Sequence, residues 1–169
     1  MIQWKHENKF VDYRFAENAM SKRVEEIILN QNKELIWLLE HNNIYTLGTS
    51  AKSSDFKSEV NIPTYQTKRG GQTTYHGPGQ RVIYLMLDLR NGKRDLKQLV
   101  WNIEEWLILV LNELGLSGYR IPGLIGVWVE DPKDVNTDGT KDKKIAALGL
   151  RVKKWVTFHG LSFNVSPDL

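Results

Sequence analysis

Residues 81–89, RVIYLMLDL, form a near-continuous apolar run. A strand with one face in water alternates apolar and polar residues, whereas a strand covered on both faces is apolar throughout. The run therefore predicts a central strand that is buried on both faces of a sheet. It follows directly after residues 68–81, KRGGQTTYHGPGQR, which include four glycines and a proline.

The remainder of the chain alternates helix and strand patterns. Residues 12–31 carry apolar side chains three or four positions apart, and a second such stripe begins after the capping residue Asp95 and ends at Gly115. Short apolar runs predict strands at residues 35–40, 44–48, 125–130, 143–152 and 155–165. Residues 49–61 and 131–143 are polar and predict loops. The fold class is therefore predicted to be α/β, a mixed sheet with two long packed helices.

Composition limits the kind of protein. A chain of 169 residues with 41% apolar residues predicts one soluble globular domain. The N-terminal MIQWKHENKF lacks the apolar region of a signal peptide, and no window approaches the roughly 18 apolar residues of a membrane span. We therefore expect a cytoplasmic protein that binds no membrane. A net charge of +3 suits an acidic partner but is too small to predict nucleic-acid binding.

The glycine-rich segment has two interpretations. Glycine allows positive φ and close approach of backbone N–H groups, so Gly70, Gly71, Gly77 and Gly79 predict a loop wrapped around a substrate. The alternative is a tight hairpin. The segment lacks GKS, GKT and G-x-G-x-x-G, and a strand rather than a helix follows it, which argues against a nucleotide site. Polar residues among the glycines favour a small-molecule site.

Three motifs carry a family resemblance. RGGQTTYHGPGQ resembles the signature of the lipoate-protein octanoyltransferases, lipoyl(octanoyl) transferases that act in lipoate biosynthesis. LLEHNNIYTLG upstream, and KIAALGLRV with TFHGLSFNV downstream, are similar to further segments of that family. The three motifs occur in the family's order and span nearly the whole chain.

The resemblance implies a fold, a reaction and partners. The fold is the biotin/lipoate protein ligase-like α/β domain. The reaction moves an octanoyl group from octanoyl acyl carrier protein, through an acyl-cysteine, to a lysine of a lipoyl domain. The acceptors implied are the lipoyl domains of 2-oxoacid dehydrogenases and the glycine cleavage H protein. No cofactor is implied, because a thioester donor makes ATP unnecessary.

The resemblance also assigns site residues. Lys144 matches the catalytic lysine of the family. The substrate-binding positions are Arg69, Gly70, Gly71, Gln72, Thr73, Thr74, Tyr75, His76, Ala147, Leu148, Gly149, Gly160, Leu161 and Ser162. We expect orienting or structural roles for His76 and His159, and none for His6 and His41. Four scattered histidines and no cysteine predict no metal site.

Chemistry explains why a lysine is needed. An acceptor lysine with a pKa of about 10.4 must lose a proton before it attacks a thioester. A cysteine nucleophile, in turn, becomes mostly thiolate beside an ammonium group. Lys144 can serve both steps. Its neighbour Lys143 leaves the predicted strand on the opposite face, so only one of the two can point into a site.

The chain departs from the family in one respect. The family's cysteine lies beyond the HGxxxN segment, and residues 1–169 contain no cysteine. We therefore expect a C-terminally incomplete catalytic domain that is inactive by itself. Two alternatives remain: an ATP-dependent lipoate or biotin ligase-like enzyme, and a non-catalytic module that binds carrier protein. Six cations, Lys141, Lys143, Lys144, Arg151, Lys153 and Lys154, form either a solvated hairpin or a surface that receives acyl carrier protein.

Overall fold

A computed structural model of the chain describes residues 1–55, 61–92, 94–136 and 138–167. The chain divides into two compact units, one formed by Met1–Arg94 with Gly149–Leu169 and the other by Asp95–Leu148. Both contain helix and strand, which confirms the predicted α/β class. Within the described ranges, no helix is long and apolar enough to cross a membrane.

The secondary-structure elements follow one another along the chain. The first unit contains β1 (Gln3–Phe10), α1 (Tyr13–Ile28), β2 (Leu35–Glu40), β3 (Ile44–Leu47), a 3-10 turn (Ser53–Asp55), β4 (Thr64–Gln66), β5 (Thr73–His76) and β6 (Gln80–Met86). The second unit contains α2 (Leu96–Glu113), β7 (Tyr119–Ile121), β8 (Leu124–Glu130) and the start of β9 (Asp142–Lys153). Strand β9 ends in the first unit, where β10 (Val156–Asn164) follows.

Two sheets organise the first unit. The larger has the order β1, β2, β6, β10, with β1 and β2 parallel and the other pairs antiparallel. In β6, every residue from Val82 to Met86 is buried, which confirms the predicted central strand. The smaller sheet has the order β4, β3, β5, in which β3 and β5 are antiparallel.

Helix α1 covers the larger sheet and forms the core of the first unit. It begins where the Asp12 carboxylate accepts a hydrogen bond from the Phe15 N–H, as expected of an N-cap. Its buried side chains pack against Trp37 and Tyr84 of the sheet. At its end, the guanidinium of Arg90 donates to the carbonyl groups of Ile27 and Ile28 in the last turn.

The second unit is built on α2. Asp95 caps this helix by accepting from the Gln98 N–H, and Gly115 follows its end with φ of 76°, so both predicted boundaries are confirmed. The buried face of α2 packs towards β8. The buried apolar residues of this unit are Ile103, Leu107, Leu111, Val127 and Ala146.

Among the described residues, strands β1, β4, β5 and β7 were not predicted from the sequence. Residues 73–76 lie inside the segment predicted as a loop, yet they form β5 and pair with β3. The hairpin alternative is also wrong, because β5 and β6 belong to different sheets. Strand β1 was missed because its sequence, QWKHENKF, has no apolar run. Seven of its eight residues are exposed in the structure. Of the predicted loop at 49–61, residues 56–60 lie outside the described part of the chain.

Candidate active site

Arg69 holds the glycine-rich segment from within the first unit. Its guanidinium is buried and donates to three backbone carbonyl oxygens, those of Thr46 (2.7 Å), Gln72 (2.8 Å) and Gly70 (2.9 Å). It also donates to the Thr46 hydroxyl oxygen. Removal from water lowers the pKa of Arg69. These contacts make Arg69 a brace of the segment, and its predicted contact with substrate stays a prediction.

Glycines allow the segment to approach two neighbouring strands closely. A Cβ atom at Gly48 would lie 2.2 Å from the Gly71 carbonyl oxygen, and Gly71 itself has φ of 89°. On the other side, the Gly70 N–H donates to the Leu150 carbonyl oxygen over 3.1 Å. A Cβ at Gly149 would lie 3.0 Å from the Gly70 oxygen. The structure therefore brings Gly149 together with the first residues of the signature.

The polar residues of β5 contact different partners. The Thr73 hydroxyl donates to Asp55, and the Tyr75 hydroxyl donates to Asn43 over 3.0 Å. Between them, the Thr74 carbonyl oxygen lies 3.5 Å from the Thr46 hydroxyl oxygen. These three residues of the signature are thus fixed by neighbouring loops and strands of the same unit.

His76 is buried as a neutral ring with one defined tautomer. The Gln80 amide nitrogen donates to Asn164, so the Gln80 amide oxygen faces His76 Nδ1 at 2.7 Å and accepts its proton. His76 Nε2 is then the acceptor for the Thr46 hydroxyl at 3.2 Å. Burial is the main cause that lowers the pKa of His76, to about 3. A neutral ring at pH 7 orients its neighbours and does not carry charge.

His41 is a second buried histidine, and sequence reasoning gave it no role. Its Nδ1 donates to the Val11 carbonyl oxygen over 2.6 Å, so Nε2 is the acceptor for the Tyr84 hydroxyl at 2.7 Å. Its ring centroid lies 6.1 Å from that of His76. The neighbouring Tyr13 hydroxyl is buried with no hydrogen-bond partner in the described residues. The only sequence signal for His41 was its place in the LLEHNNIYTLG motif.

The HGLS segment of β10 lies beside this buried cluster. His159 has φ of 58°, a left-handed conformation that is rare for a residue in a strand. Its ring stacks on Phe158, and burial lowers the pKa of His159 to about 4, with further lowering from Arg69 and Arg151. Gly160 pairs with Tyr84, and a Cβ there would lie 2.0 Å from the Ile83 oxygen. Leu161 and Ser162 continue the strand and are buried.

Lys144 belongs to the second unit. Its ammonium donates to the Ile125 carbonyl oxygen over 3.1 Å and lies 4.7 Å above the centroid of the Trp128 ring. The residue is exposed, yet partial desolvation of the ammonium lowers the pKa of Lys144. Lys143 has other partners, Asn136 and Asp134, as expected for strand neighbours on opposite faces. Ala147 and Leu148 follow in β9 and are half-buried.

Three of the six cations in the predicted hairpin lie near carboxylates. Lys141, Lys143 and Lys153 lie near the carboxylates of Glu130, Asp134 and Glu25. Arg151 lies over the Phe158 ring. Exposed ion pairs of this kind contribute about 0 to 1 kcal/mol each and reduce the charge that a partner meets. The hairpin is therefore less cationic than its sequence indicates.

Comparison with known proteins identifies the family. The lipoyl protein ligase A/B catalytic domain matches residues 12–169. The chain is 44% identical to an octanoyltransferase of Bartonella henselae, over 99% of this chain and 69% of that protein. It is 45% identical to an octanoyltransferase of Jannaschia sp., over 100% of this chain and 79% of that protein. The chain belongs to the octanoyltransferase family.

Solved structures show that this chain shares its fold with lipoate protein ligases. This octanoyltransferase-family chain matches a bipartite lipoate protein ligase of Thermoplasma acidophilum with a TM-score of 0.64 and 18% sequence identity. The match covers 99% of this chain and 62% of that protein, so the ligase is considerably longer. The comparison confirms the predicted biotin/lipoate protein ligase-like fold and carries no information on the reaction.

Proposed function

We propose that this chain provides the catalytic domain for transfer of an octanoyl group from acyl carrier protein to the lysine of a lipoyl domain. The observation that carries the proposal is 44% to 45% identity to octanoyltransferases over nearly the whole chain. The acceptors are the lipoyl domains of 2-oxoacid dehydrogenases and the glycine cleavage H protein.

Lys144 is the acid–base group in this proposal. The amine of the acceptor lysine attacks the acyl carbonyl carbon, and an amide bond forms as the thioester carbon–sulfur bond breaks. The attacking nitrogen must lose a proton, and the departing sulfur leaves as thiolate. A partly desolvated lysine with a lowered pKa is neutral near pH 7 in a larger fraction of molecules than an ordinary surface lysine, so it is more often available to accept a proton. When charged, the same ammonium stabilises a thiolate.

The first unit supplies the binding surface in this proposal. Its glycines leave backbone groups of the signature free of Cβ atoms. Arg69 and Gln80 donate to the backbone oxygens of Thr46 and Tyr75, and the Gln80 side chain in turn holds His76. Arg69 also donates to the carbonyl oxygens of Gly70 and Gln72, and His76 is neutral, so these side chains set the shape of the loop. In this proposal, the loop receives the uncharged acyl chain.

The acyl-cysteine step requires a thiol, and residues 1–169 contain none. In that step the thiolate attacks the thioester carbonyl, a new thioester forms, and the carrier thiol leaves. The 169-residue chain alone is therefore expected to form no covalent octanoyl adduct. Ser162 is a poor substitute, because an alcohol has a far higher pKa than a thiol and needs a dedicated base.

A chimera tests the proposal. Residues 1–169 are joined to the C-terminal segment of the Bartonella henselae relative, in which the family carries its cysteine, and incubated with octanoyl acyl carrier protein and a lipoyl domain. Intact mass should show an octanoyl adduct on the chimera and then on the lipoyl domain, and neither product with the 169-residue chain. Transfer that requires octanoate and ATP would contradict the proposal and favour a ligase, whereas no transfer from either donor would favour a binding module.

Variants of the chimera test the role of Lys144. Lys144→Ala should lower the transfer rate by about 10² to 10⁴, the usual contribution of a positioned acid–base group. Lys143→Ala is the matched control, because its ammonium contacts Asp134 and Asn136 instead, and it should change the rate by less than about threefold. If the two substitutions lowered the transfer rate equally, Lys144 would not be the acid–base group.

A further inference from the structure

A buried carboxylate lies behind the backbone that contacts Lys144. Glu104, on α2, is only 7% exposed, although glutamate is rarely buried without partners. One carboxylate oxygen accepts from the Gly126 N–H at 2.9 Å, and the other accepts from Arg120 at 3.1 Å. A carboxylate kept in the interior with a cation and an amide as partners holds those partners in fixed positions.

The amide held by Glu104 belongs to the peptide that contacts Lys144. The N–H of Gly126 and the C=O of Ile125 are the two ends of one peptide group. That carbonyl oxygen accepts from the Lys144 ammonium at 3.1 Å. A trans peptide group is planar, with its N–H and C=O on opposite sides. Fixing the N–H therefore fixes the direction of the carbonyl oxygen, and with it the position of the ammonium.

Gly126 allows this peptide to take its orientation. Its φ is 134°, and a Cβ there would lie 2.7 Å from the Ala146 oxygen and 3.2 Å from Lys144 Cε. The pairing of β8 with β9 also changes register between Val127 and Trp128. The backbone is thus irregular where it contacts the Lys144 ammonium. The carboxylate of Glu104, on α2, holds this backbone in place.

We propose that Glu104 is a positioning residue for Lys144 and acts through the Ile125–Gly126 peptide. Its negative charge polarises that peptide, so the carbonyl oxygen binds the ammonium more strongly and holds it above Trp128. The described charged groups around Glu104 are Arg120, which contacts it, and Glu105, which shares Arg120. The importance of this arrangement for catalysis rests on the proposed role of Lys144.

Chemical labelling measures the positioning without any need for activity. The 169-residue chain is treated with limiting acetic anhydride at pH 7, and the acetylation rate of each lysine is read by peptide mass spectrometry. Glu104→Gln removes the charge and keeps an oxygen for Gly126, whereas Glu104→Ala removes both. Each should accelerate labelling of Lys144, by about threefold to tenfold, because a weaker hydrogen bond leaves more neutral amine. Lys143 is the internal reference and should keep its rate.

Arg120→Gln separates the peptide contact from the ion pair. It removes the cation from Glu104 but leaves the carboxylate on Gly126, so it should not accelerate Lys144 labelling. A Glu104→Gln variant with native circular dichroism and wild-type labelling of Lys144 would overturn the inference, even if Glu104→Ala did not fold.

Kinetics of the chimera distinguish the proposed role of Lys144 from the proposed role of Glu104. Glu104→Gln should lower kcat by about tenfold and leave KM for octanoyl acyl carrier protein unchanged, since the ammonium acts in the chemical step. Full transfer by Lys144→Ala would remove the proposed role of Lys144, while the labelling result would still decide its positioning. Loss of transfer in Lys144→Ala together with wild-type kcat in Glu104→Gln would overturn only the inference about Glu104.

Discussion

At the scale of single residues, the first unit keeps three histidines in its interior. His76 and His41 use both ring nitrogens in hydrogen bonds, and each ring has one donor and one acceptor nitrogen. Protonation would force a second donor towards a group that itself donates, such as the Thr46 or Tyr84 hydroxyl. Burial is the largest cause that lowers the pKa values of His41, His76 and His159, because it disfavours the charged form of each ring.

These shifts predict that acid destabilises the protein before its carboxylates titrate. The folded pKa is about 3 for His76 and about 4 for His159, whereas an unfolded histidine has a pKa near 6.5. Below pH 6.5 the unfolded chain binds protons that the folded chain does not. The free energy of unfolding therefore decreases as the pH is lowered. Linkage gives a loss of about 2 kcal/mol for each such histidine between pH 7 and pH 5.

Urea denaturation at the two pH values measures this loss. Ordinary aspartate and glutamate titrate near pH 4, so they contribute little in this window. His76→Gln lacks a titrating group and should reduce the pH-dependent loss by about 2 kcal/mol, whatever its effect on stability at pH 7. A loss of the same size in His76→Gln and the wild type would contradict the assignment of a buried neutral ring.

Four single residues show which properties could be predicted from the sequence and which could not. The opposite directions of Lys143 and Lys144 followed from the two-residue period of a strand, which is a local rule. The roles of His41 and Glu104 did not follow, because each depends on partners distant in sequence, such as Tyr84 for His41 and Gly126 for Glu104. A polar residue that stands among apolar residues in the sequence cannot be identified as buried until its hydrogen-bond partner is known.

At the scale of elements, the two helices were confirmed because their apolar residues recur every three or four positions, and the central strand β6 was confirmed because its apolar run is nearly continuous. Strand β1 was missed because its residues are exposed, and it pairs with β2 through backbone groups that carry no sequence signal. Strand β5 was missed because glycines surround it, and glycine-rich segments are typical of loops. In the candidate site, sequence therefore identified the signature but not the strand that orders it.

The pairing of β6 with β10 predicts a strict requirement for glycine. A Cβ at Gly160 would lie 2.0 Å from the Ile83 oxygen, a backbone atom that cannot move without separating the two strands. Gly160→Ala should lower the free energy of unfolding by about 3 kcal/mol or prevent folding. Gly92→Ala is the matched control, since nothing lies within 4 Å of its Cβ, and it should change stability by less than about 0.5 kcal/mol. If the two variants had the same urea midpoint, the strands would be shown to adjust to the added Cβ at little cost in stability.

At the scale of the whole molecule, net charge and local charge give different expectations for binding of the proposed partner, the acidic acyl carrier protein. The chain carries a net charge of +3, which attracts an acidic partner from any direction. Three of the six cations of the predicted hairpin lie near carboxylates, whereas Lys154 lies exposed in the turn between β9 and β10. If the hairpin receives acyl carrier protein, its exposed end should contribute more than an equal charge elsewhere.

Two charge reversals separate these contributions. Lys154→Glu and Lys97→Glu each remove one positive charge and add one negative charge, so each changes the net charge from +3 to +1. Lys97 is exposed in the first turn of α2, so the two variants share the same overall attraction. We expect Lys154→Glu to weaken binding of acyl carrier protein more strongly at 0.1 M salt, where the Debye length is about 10 Å. At 1 M salt, where it is about 3 Å, the difference between the variants should vanish. Equal affinities of the two variants at 0.1 M salt, measured by titration calorimetry, would show that the carrier protein responds to net charge alone and does not dock on the hairpin.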